Sequence, residues 1–384
     1  MKVAQAHIFE TSKSELGKLS KLADLHPQLV LVFGTLDHFS SPDFYNVLRH
    51  HFPESFLVGC STAGEITNDG VEDKTTVVTA LHFDRTNIQV ASATAAEITD
   101  SFNAGKTIGE QLSAPNLSGV LLFSKGLEVN GSSLIDGIVS SVGKAVPISG
   151  GLAGDDGAFQ RTLVLTNNTI SETGVVGVGL YGNALRFGHG SFGGWEPFGP
   201  ARKVTRTEGN ILYELDGENA LDIYKRYLGD FSKDLPASGL LFPFEILNKN
   251  HEPTGLIRTI LGTNESEGSL ILAGTVRENG YLRLMHATTD ALVAGAEKAA
   301  IASKINGTLP EEKLALLVSC VGRKLVMGDQ VEDEVEIVAK HLGQNVTLSG
   351  FYSYGEISPM QGILDCKLHN QTMTIAFLFE DEEQ

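Results

Sequence analysis

The feature that most constrains the fold is a glycine-rich motif that occurs three times along the chain. In each copy, a small residue is followed five positions later by a glycine and then by an acidic residue. The copies are Gly59-Cys60-Ser61-Thr62-Ala63-Gly64-Glu65, Ser149-Gly150-Gly151-Leu152-Ala153-Gly154-Asp155 and Gly350-Phe351-Tyr352-Ser353-Tyr354-Gly355-Glu356. Repetition of one pattern at this length indicates a supersecondary unit that is used more than once.

Each copy of the motif is preceded by the same kind of sequence. Short apolar runs end at Gly34, Ser124 and Ser319, and the motif begins 25, 25 and 31 residues later. A short apolar run bounded by Gly or Ser is typical of a buried strand, and apolar residues at helical spacing follow in Phe44–Phe52 and Glu332–Leu342. We therefore expect three βαβ modules, each ending in a turn that carries a carboxylate. Turns at strand ends are where open α/β sheets bind ligands; the alternative is that glycine and acid only form a tight turn, with the side chain capping backbone amides.

Strand-like segments that favour antiparallel hairpins follow the first two modules. These segments are Thr75–Phe83 with Asn87–Ala93, and Gly174–Tyr181 with Leu185–Ser191. Parallel βαβ units combined with hairpins indicate an α+β or mixed α/β fold. A Gly- and Pro-rich stretch at 193–200 interrupts regular structure and predicts a boundary between two domains, 1–200 and 201–384.

Charge and hydropathy exclude several classes of partner. The chain of 384 residues has a formal net charge of −18, which argues against a nucleic-acid or anionic-membrane surface. Apolar runs fall short of the roughly 20 residues that cross a bilayer, and the start lacks a signal-peptide core. Three cysteines without a C-x-x-C pair suit a reducing compartment. We expect a cytoplasmic protein; the sequence leaves a homodimer open.

The first motif also raises the alternative of a hydrolase. Gly59-Cys60-Ser61-Thr62-Ala63 is close to the nucleophile elbow G-x-S-x-G but lacks its last glycine. Cys60 or Ser61 would need a histidine base nearby. The other two copies do not keep both a Cys and a Ser in matching places, so we expect the protein not to be an enzyme.

His189 is the histidine with the most distinctive surroundings. Glycines flank it, Phe187 and Phe192 lie close in sequence, and the sole tryptophan, Trp195, follows. Flanking glycines would let a planar group approach the backbone, aromatic side chains would supply an apolar wall, and histidine is a common axial ligand of haem iron. His189 is thus the candidate iron ligand and His369, before the last strand, the second. The alternative is a turn histidine bonded to backbone.

Several separate segments resemble the FIST family. Residues 29–66, which end in Gly-Cys-Ser-Thr-Ala-Gly-Glu-Ile, are similar to the FIST N-terminal domain. The segments similar to the FIST C-terminal domain are Gly217–Tyr224, Ser319–Arg323, Gly350–Pro359 and Leu368–Thr372. The resemblance covers nearly the whole chain, and it implies that 1–200 and 201–384 are the two FIST domains.

The resemblance implies a sensory signal-transduction protein that binds small ligands. One branch of the family, the NosP-like haemoproteins, binds nitric oxide and controls a histidine kinase. Membership of that branch would imply haem b, nitric oxide and a separate histidine kinase as partner. In the haem-free alternative, the ligand is a small metabolite such as an amino acid, bound by Glu65, Arg323, Tyr354 and Glu356.

Overall fold

The computed structural model describes residues 1–10, 12–305, 309–362 and 364–381. The strands up to residue 192 are β1 (Lys2–Ile8), β2 (Leu29–Gly34), β3 (Phe56–Ser61), β4 (Glu65–Thr67), β5 (Gly70–Glu72), β6 (Thr76–His82), β7 (Asn87–Thr94), β8 (Leu117–Ser124), β9 (Ile148–Leu152), β10 (Val164–Thr166), β11 (Ile170–Ser171), β12 (Gly174–Tyr181) and β13 (Leu185–Phe192). The later strands are β14 (Glu196–Pro197), β15 (Arg202–Glu208), β16 (Ile211–Leu215), β17 (Glu218–Asn219), β18 (Phe244–Leu247), β19 (Pro253–Arg258), β20 (Ile260–Asn264), β21 (Ser269–Leu272), β22 (Tyr281–His286), β23 (Lys313–Cys320), β24 (Val346–Ser353), β25 (Gly355–Pro359), β26 (Cys366–His369) and β27 (Met373–Glu380). The helices are α1 (Lys13–Leu16), α2 (Lys18–Ala23), α3 (Leu36–Ser40), α4 (Phe44–His51), α5 (Ser101–Leu112), α6 (Gly131–Val142), α7 (Ala220–Leu228), α8 (Thr289–Ser303), α9 (Val321–Met327) and α10 (Glu332–Leu342).

The predicted modules build three sheets that share one strand order. The orders are β1-β6-β2-β3-β10-β11, then β7-β12-β8-β9-β25-β26, and finally β13-β27-β23-β24-β4-β5. In the middle of each sheet lie the two parallel strands of one module, β2 with β3, β8 with β9, and β23 with β24. The three βαβ modules and the mixed α/β fold expected from the sequence are therefore confirmed.

The hairpin that follows each module leaves its own sheet and joins the next one. Hairpin β4–β5 pairs with β24, hairpin β25–β26 pairs with β9, and hairpin β10–β11 pairs with β3. Each module thus gives a hairpin to one neighbour and receives one from the other. This cyclic exchange links the three glycine-rich turns, because each turn connects a parallel strand to its exchanged hairpin.

A glycine stands at the same place in the second parallel strand of every module. A Cβ atom at any of the three would collide with a carbonyl oxygen of the adjacent strand; the pairs are Gly59 with Val32, Gly150 with Leu122, and Gly350 with Leu317. The second copy is therefore in register one residue later than the sequence motif suggested, at Gly150 instead of Ser149. The exchanged hairpin of the second module has no acid at the position of Glu65 and Glu356: these two pair with Phe351 and Gly151, and at the matching position Val164 pairs with Cys60.

The prediction that β6–β7 and β12–β13 form hairpins is wrong. All four segments are strands, but β6 pairs with β1 and β2, and β12 pairs with β7 and β8. The link between β6 and β7 is a crossing between two sheets. Its amide N–H groups, from Asp84, Arg85 and Thr86, donate to the carboxylate of Glu380 at the end of the third sheet. A short loop between two strands normally predicts a tight hairpin turn. Here the carboxylate of Glu380 binds the loop amides and stabilises a connection that is not a hairpin turn.

The inner faces of the three sheets form the central core. Phe33 lies 4.7 Å from Phe351 and 5.3 Å from Phe123 between ring centroids, within a buried cluster from all three sheets. Helices cover the outer faces, α2 and α4 on the first sheet and α5, α6, α8 and α10 on the other two. Among the described residues, no helix is long and apolar enough to span a bilayer.

A further sheet is inserted into the third module between β13 and α8. It contains β14 to β22, carries helix α7, and has its own buried cluster. The Gly- and Pro-rich stretch at 193–200 marks the point where the chain leaves β13 for this inserted sheet. From α8 onward the chain returns to the third module. Residues 201–384 therefore hold both the inserted sheet and most of that module.

Candidate functional site

The carboxylates of the first and third motifs are buried and fully engaged within the chain. Glu356 accepts hydrogen bonds from Ser353 Oγ at 2.9 Å and from the N and Oγ1 atoms of Thr372 at 3.0 and 2.9 Å. Glu65 accepts from Thr62 Oγ1 and from both donors of Thr75. Burial raises the pKa of Glu65 to about 7 and that of Glu356 to about 8. Each acid ties its turn to the residue that directly precedes a later strand, β6 for Glu65 and β27 for Glu356.

Arg323 is likewise a structural residue. Its Nη2 atom lies 2.6 Å from Glu334 Oε2, and neither side chain is exposed. The guanidinium also donates to the carbonyl oxygens of Leu292 and Gly193. Its charge is therefore balanced inside the protein.

Tyr354 holds the second motif in place. Its hydroxyl donates to Asp155 Oδ1 and accepts from the amides of Gly157 and Phe159, at 3.1 and 3.2 Å. The ring stacks on Phe159 with 4.1 Å between centroids. The structure does not assemble Glu65, Arg323, Tyr354 and Glu356 around an open space, because each has its partners within the chain.

The candidate nucleophiles lie where the first and second turns meet. Ser61 Oγ donates to the carbonyl of Gly154 at 2.7 Å and accepts from the amide of Leu163 at 2.9 Å. Cys60 is fully buried, and burial raises its pKa well above the ordinary value. Neither group faces solvent, from which a substrate would have to approach.

The glycines beside His189 serve a different purpose from the one expected. A Cβ on Gly188 would collide with the carbonyl oxygen of Ser303, and one on Gly190 with that of Ala299. Both carbonyls belong to α8. The glycines therefore let a helix approach β13, and the space expected for a planar cofactor is filled by that helix.

The aromatic residues near His189 point in different directions. Strand alternation places Phe187 and His189 on one face of β13 and Phe192 on the other. Phe187 packs on the central core and Phe192 on the core beneath the helices. Trp195 lies in a separate cluster with Ile257, Met285, Leu292 and Met327, and its Nε1 donates to the carbonyl of Gln371 at 2.8 Å.

Of the two histidines proposed as iron ligands, His369 is enclosed and His189 is half-buried. His369 is 3 % exposed, its Nε2 lies 3.0 Å from the carbonyl oxygen of Ser358, and burial lowers its pKa to about 4. His189 Nδ1 is buried and has no hydrogen-bond partner among the described residues. Phe187 and Phe192 pack in different cores on the two faces of β13 and Trp195 packs in a third cluster, so these residues as arranged do not surround one space that would fit a haem. Within the described ranges, no cluster of His, Cys, Asp or Glu is placed to hold a metal ion.

A cavity of about 760 Å³ lies elsewhere, between the inserted sheet and the repeated modules. One wall is the first part of α6, and a second is the exchanged strand β26. The remaining walls come from the inserted sheet, at residues 246–249, 254–258 and 275–282. The volume is within the roughly 300–1,000 Å³ of typical small-molecule sites.

Arg258 is the most deeply buried charged group of this cavity, with 4 % of its surface exposed. It donates from Nε to the carbonyl of Thr275 at 3.2 Å and from Nη1 to those of Ile257 and Leu368 at 2.9 and 3.2 Å. Burial lowers its pKa to about 10, so the side chain stays charged at neutral pH. A Cβ on Gly274 would lie 2.7 Å from Nε, so this glycine leaves the guanidinium its space.

Two family matches identify the family of this chain. The FIST N domain matches residues 28–218, and the FIST C domain matches residues 220–359. The chain belongs to the FIST family. FIST domains are signal-transduction sensor domains that bind small ligands. The match to FIST N extends past β13 into the inserted sheet, and the match to FIST C includes α8, β23 and β24.

The individual relatives add little about the chemistry. An uncharacterized protein of Methanocaldococcus jannaschii is 22 % identical over an alignment of 402 positions, and the alignment covers 92 % of this FIST chain and 73 % of the relative. A crystal structure of cyanuric acid hydrolase from A. caulinodans aligns over 99 % of both chains with a TM-score of 0.39 and 9 % identity. A score this low does not establish a shared fold, and the hydrolase activity is not carried over.

Proposed function

We propose that this FIST protein is a cytoplasmic sensor that binds a small organic metabolite in the cavity beside Arg258 and regulates a separate histidine kinase. The observation that carries the proposal is the cavity itself, about 760 Å³ in volume and enclosed by both the inserted sheet and the modules. Its family supports the sensor role, because FIST domains bind small ligands in signal transduction.

The position of the cavity suits a sensor. Helix α6 belongs to the second module and β26 to the third, while Arg258 belongs to the inserted sheet. A ligand that contacts all three stabilises the arrangement in which they close around it. By linkage, a ligand shifts a conformational equilibrium only as far as it binds one state more tightly than the other. The kinase then reads the position of the inserted sheet against the modules.

Haem binding with nitric oxide as signal is the second candidate. One observation favours it, namely that His189 Nδ1 is buried and has no partner among the described residues. Against it stands the packing of α8 on the glycines beside His189. An absorption spectrum after haem addition separates the candidates. A Soret band that is lost in His189→Ala supports haem, and a spectrum of free haem alone supports the metabolite sensor.

The metabolite proposal is tested by thermal-shift screening with amino acids and other small organic acids. Leu256 is half-buried in the cavity wall, so Leu256→Trp should push a larger ring into the cavity and reduce the shift. Leu261→Trp on β20, the next strand along the chain, is the matched control, because Leu261 is 39 % exposed and outside the cavity. A ligand whose shift survives Leu256→Trp binds elsewhere and would overturn the proposed site.

A further inference from the structure

We infer that the ligand of this cavity is an organic anion whose acidic group pairs with Arg258 and whose apolar body lies along the cavity wall. The inference rests on the proposed function and specifies the chemical class of the ligand.

Arg258 lacks a counter-ion among the described residues. Arg323 and Arg258 are both nearly inaccessible, at 0 and 4 % exposure. Arg323 is paired with Glu334. Arg258 has only carbonyl oxygens as partners, and no carboxylate approaches it within the part of the chain that the structure describes. A buried charge is costly unless it is paired, so a bound anion would supply what the chain lacks.

The guanidinium of Arg258 is held in one orientation by the backbone. Nε and Nη1 are held by the carbonyls of Thr275, Ile257 and Leu368. No described residue accepts a hydrogen bond from Nη2, although the side chain lines the cavity. The backbone therefore fixes the plane of the group and leaves one nitrogen for a ligand. The N–H groups of Nη2 can donate a charge-assisted hydrogen bond to an oxygen of a carboxylate or a phosphate.

Much of the remaining cavity wall is apolar. The residues next to the cavity include Leu256, Val276, Leu282 and Leu368, which are apolar. Charged side chains of both signs, Arg277 and Glu278 among them, are exposed at its mouth. The deep charge is thus positive and its surroundings are apolar. A ligand with one acidic group and an apolar body matches this arrangement better than a polyanion or a neutral sugar.

Two fluorescent probes that differ mainly in charge test the inference on the full chain. They are 8-anilinonaphthalene-1-sulfonate, an organic anion, and N-phenyl-1-naphthylamine, which has the same ring system without the sulfonate. We expect the anion to bind wild type at least about tenfold more tightly than the neutral probe, since hydrogen bonds to charged groups are the stronger ones. Arg258→Met should remove that preference, whereas Arg277→Met at the mouth should change it less than about twofold.

The outcomes separate this inference from the proposed function. If both probes bind wild type equally and Leu256→Trp blocks both, the cavity binds ligands but the anion inference is wrong. If Leu256→Trp affects neither probe, the cavity is not the binding site and the proposed function fails with it. Should Arg258→Met not fold, Arg258→Lys keeps the charge without the planar fork and should weaken the preference partly. The comparison of the two probes on wild type decides the charge question in either case.

Discussion

Arg323 and Glu334 form an ion pair in which the Nη2 and Oε2 atoms are 2.6 Å apart and neither side chain is exposed. Glu334 Oε1 also accepts hydrogen bonds from Ser319 Oγ and Tyr352 Oη, at 2.9 and 2.6 Å. The pair therefore connects α10 to both parallel strands of the third module. Through the carbonyl of Leu292, it also connects them to α8.

Removing one member of this pair should destabilise the protein strongly. Arg323→Met leaves Glu334 as an uncompensated buried charge, and we expect a loss of about 3–5 kcal/mol in the free energy of unfolding. Urea unfolding measures it. The matched control is Arg226→Met in the exposed pair with Glu218, where the side chains are 61 and 56 % exposed; it should cost less than about 1 kcal/mol. Equal losses in both variants would contradict the structural role of Arg323.

The contribution of Glu356 to stability should fall as the pH rises through neutrality. Burial raises the folded pKa of Glu356 to about 8 from the ordinary value of 4.5, so the folded state holds a proton that the unfolded state has released. The stabilisation from this carboxyl is complete below pH 4.5 and is lost as the pH rises to about 8. Within this window the slope is up to about 1.4 kcal/mol per pH unit for one such group.

Glu356→Gln is the variant that tests this pH dependence. Glutamine keeps an acceptor for Thr372 and does not titrate, so the free energy of unfolding of wild type minus that of the variant should decrease from about pH 5 to 8, while the histidine contributions cancel in this difference. Glu65, whose pKa burial raises to about 7, contributes a smaller decline that should persist. An exposed control, Glu218→Gln, should leave the slope unchanged. The same slope in wild type and Glu356→Gln would show that Glu356 is ionised in the folded protein.

His189 and Gln5 occupy equivalent positions in the third and first sheets, opposite Ala376 and Thr79. Gln5 Nε2 donates to Thr79 Oγ1 and to the carbonyl of Leu348, both at 3.0 Å. We therefore expect Gln5→Leu to cost about 1–3 kcal/mol, because it leaves a buried acceptor unpaired.

His189→Leu should instead be neutral or stabilising, since it removes a ring whose Nδ1 has no partner among the described residues. Thermal unfolding of both variants provides the comparison. A large loss of stability in His189→Leu would show that the histidine makes an interaction beyond those described.

The three thiols should be unreactive in the native protein. Cys60, Cys320 and Cys366 are buried, and burial raises each pKa, that of Cys366 to about 11. The thiolate is the reactive form. At pH 8, a chromogenic disulfide reagent should therefore modify none of the three cysteines rapidly in the folded protein, and all three after unfolding in urea. Rapid native labelling of Cys60 would revive the hydrolase alternative.

The modules were predictable from sequence because their signals are local. Apolar runs such as Leu29–Phe33 and the helical spacing of Phe44–Phe52 became β2 and α4 within about one residue. The cyclic exchange of hairpins was not predictable, because β4 pairs with β24 almost three hundred residues away and nothing near Glu65 specifies that partner. The motif acids drew attention as ligands, yet their burial among hydroxyl donors makes them structural.

The candidate site had a weaker sequence signal. Arg258 stands between Ile257 and Thr259 in a largely apolar segment, and a charged residue there indicates either a buried pair or a site. Sequence alone could not separate the two, since the absence of a nearby carboxylate is a property of the folded chain. The glycines around His189 failed as a cofactor signal for a similar reason, because close helix packing requires glycine as much as a macrocycle would.

Hydrogen–deuterium exchange tests most directly whether the ligand binds beside Arg258. Exchange of the backbone amides is measured with and without the ligand that gives the largest thermal shift. The account predicts slower exchange at the start of α6, in 246–258, in 275–282 and in β26, which together enclose the cavity. Protection confined to β13 around His189, with no change in those four segments, would contradict it.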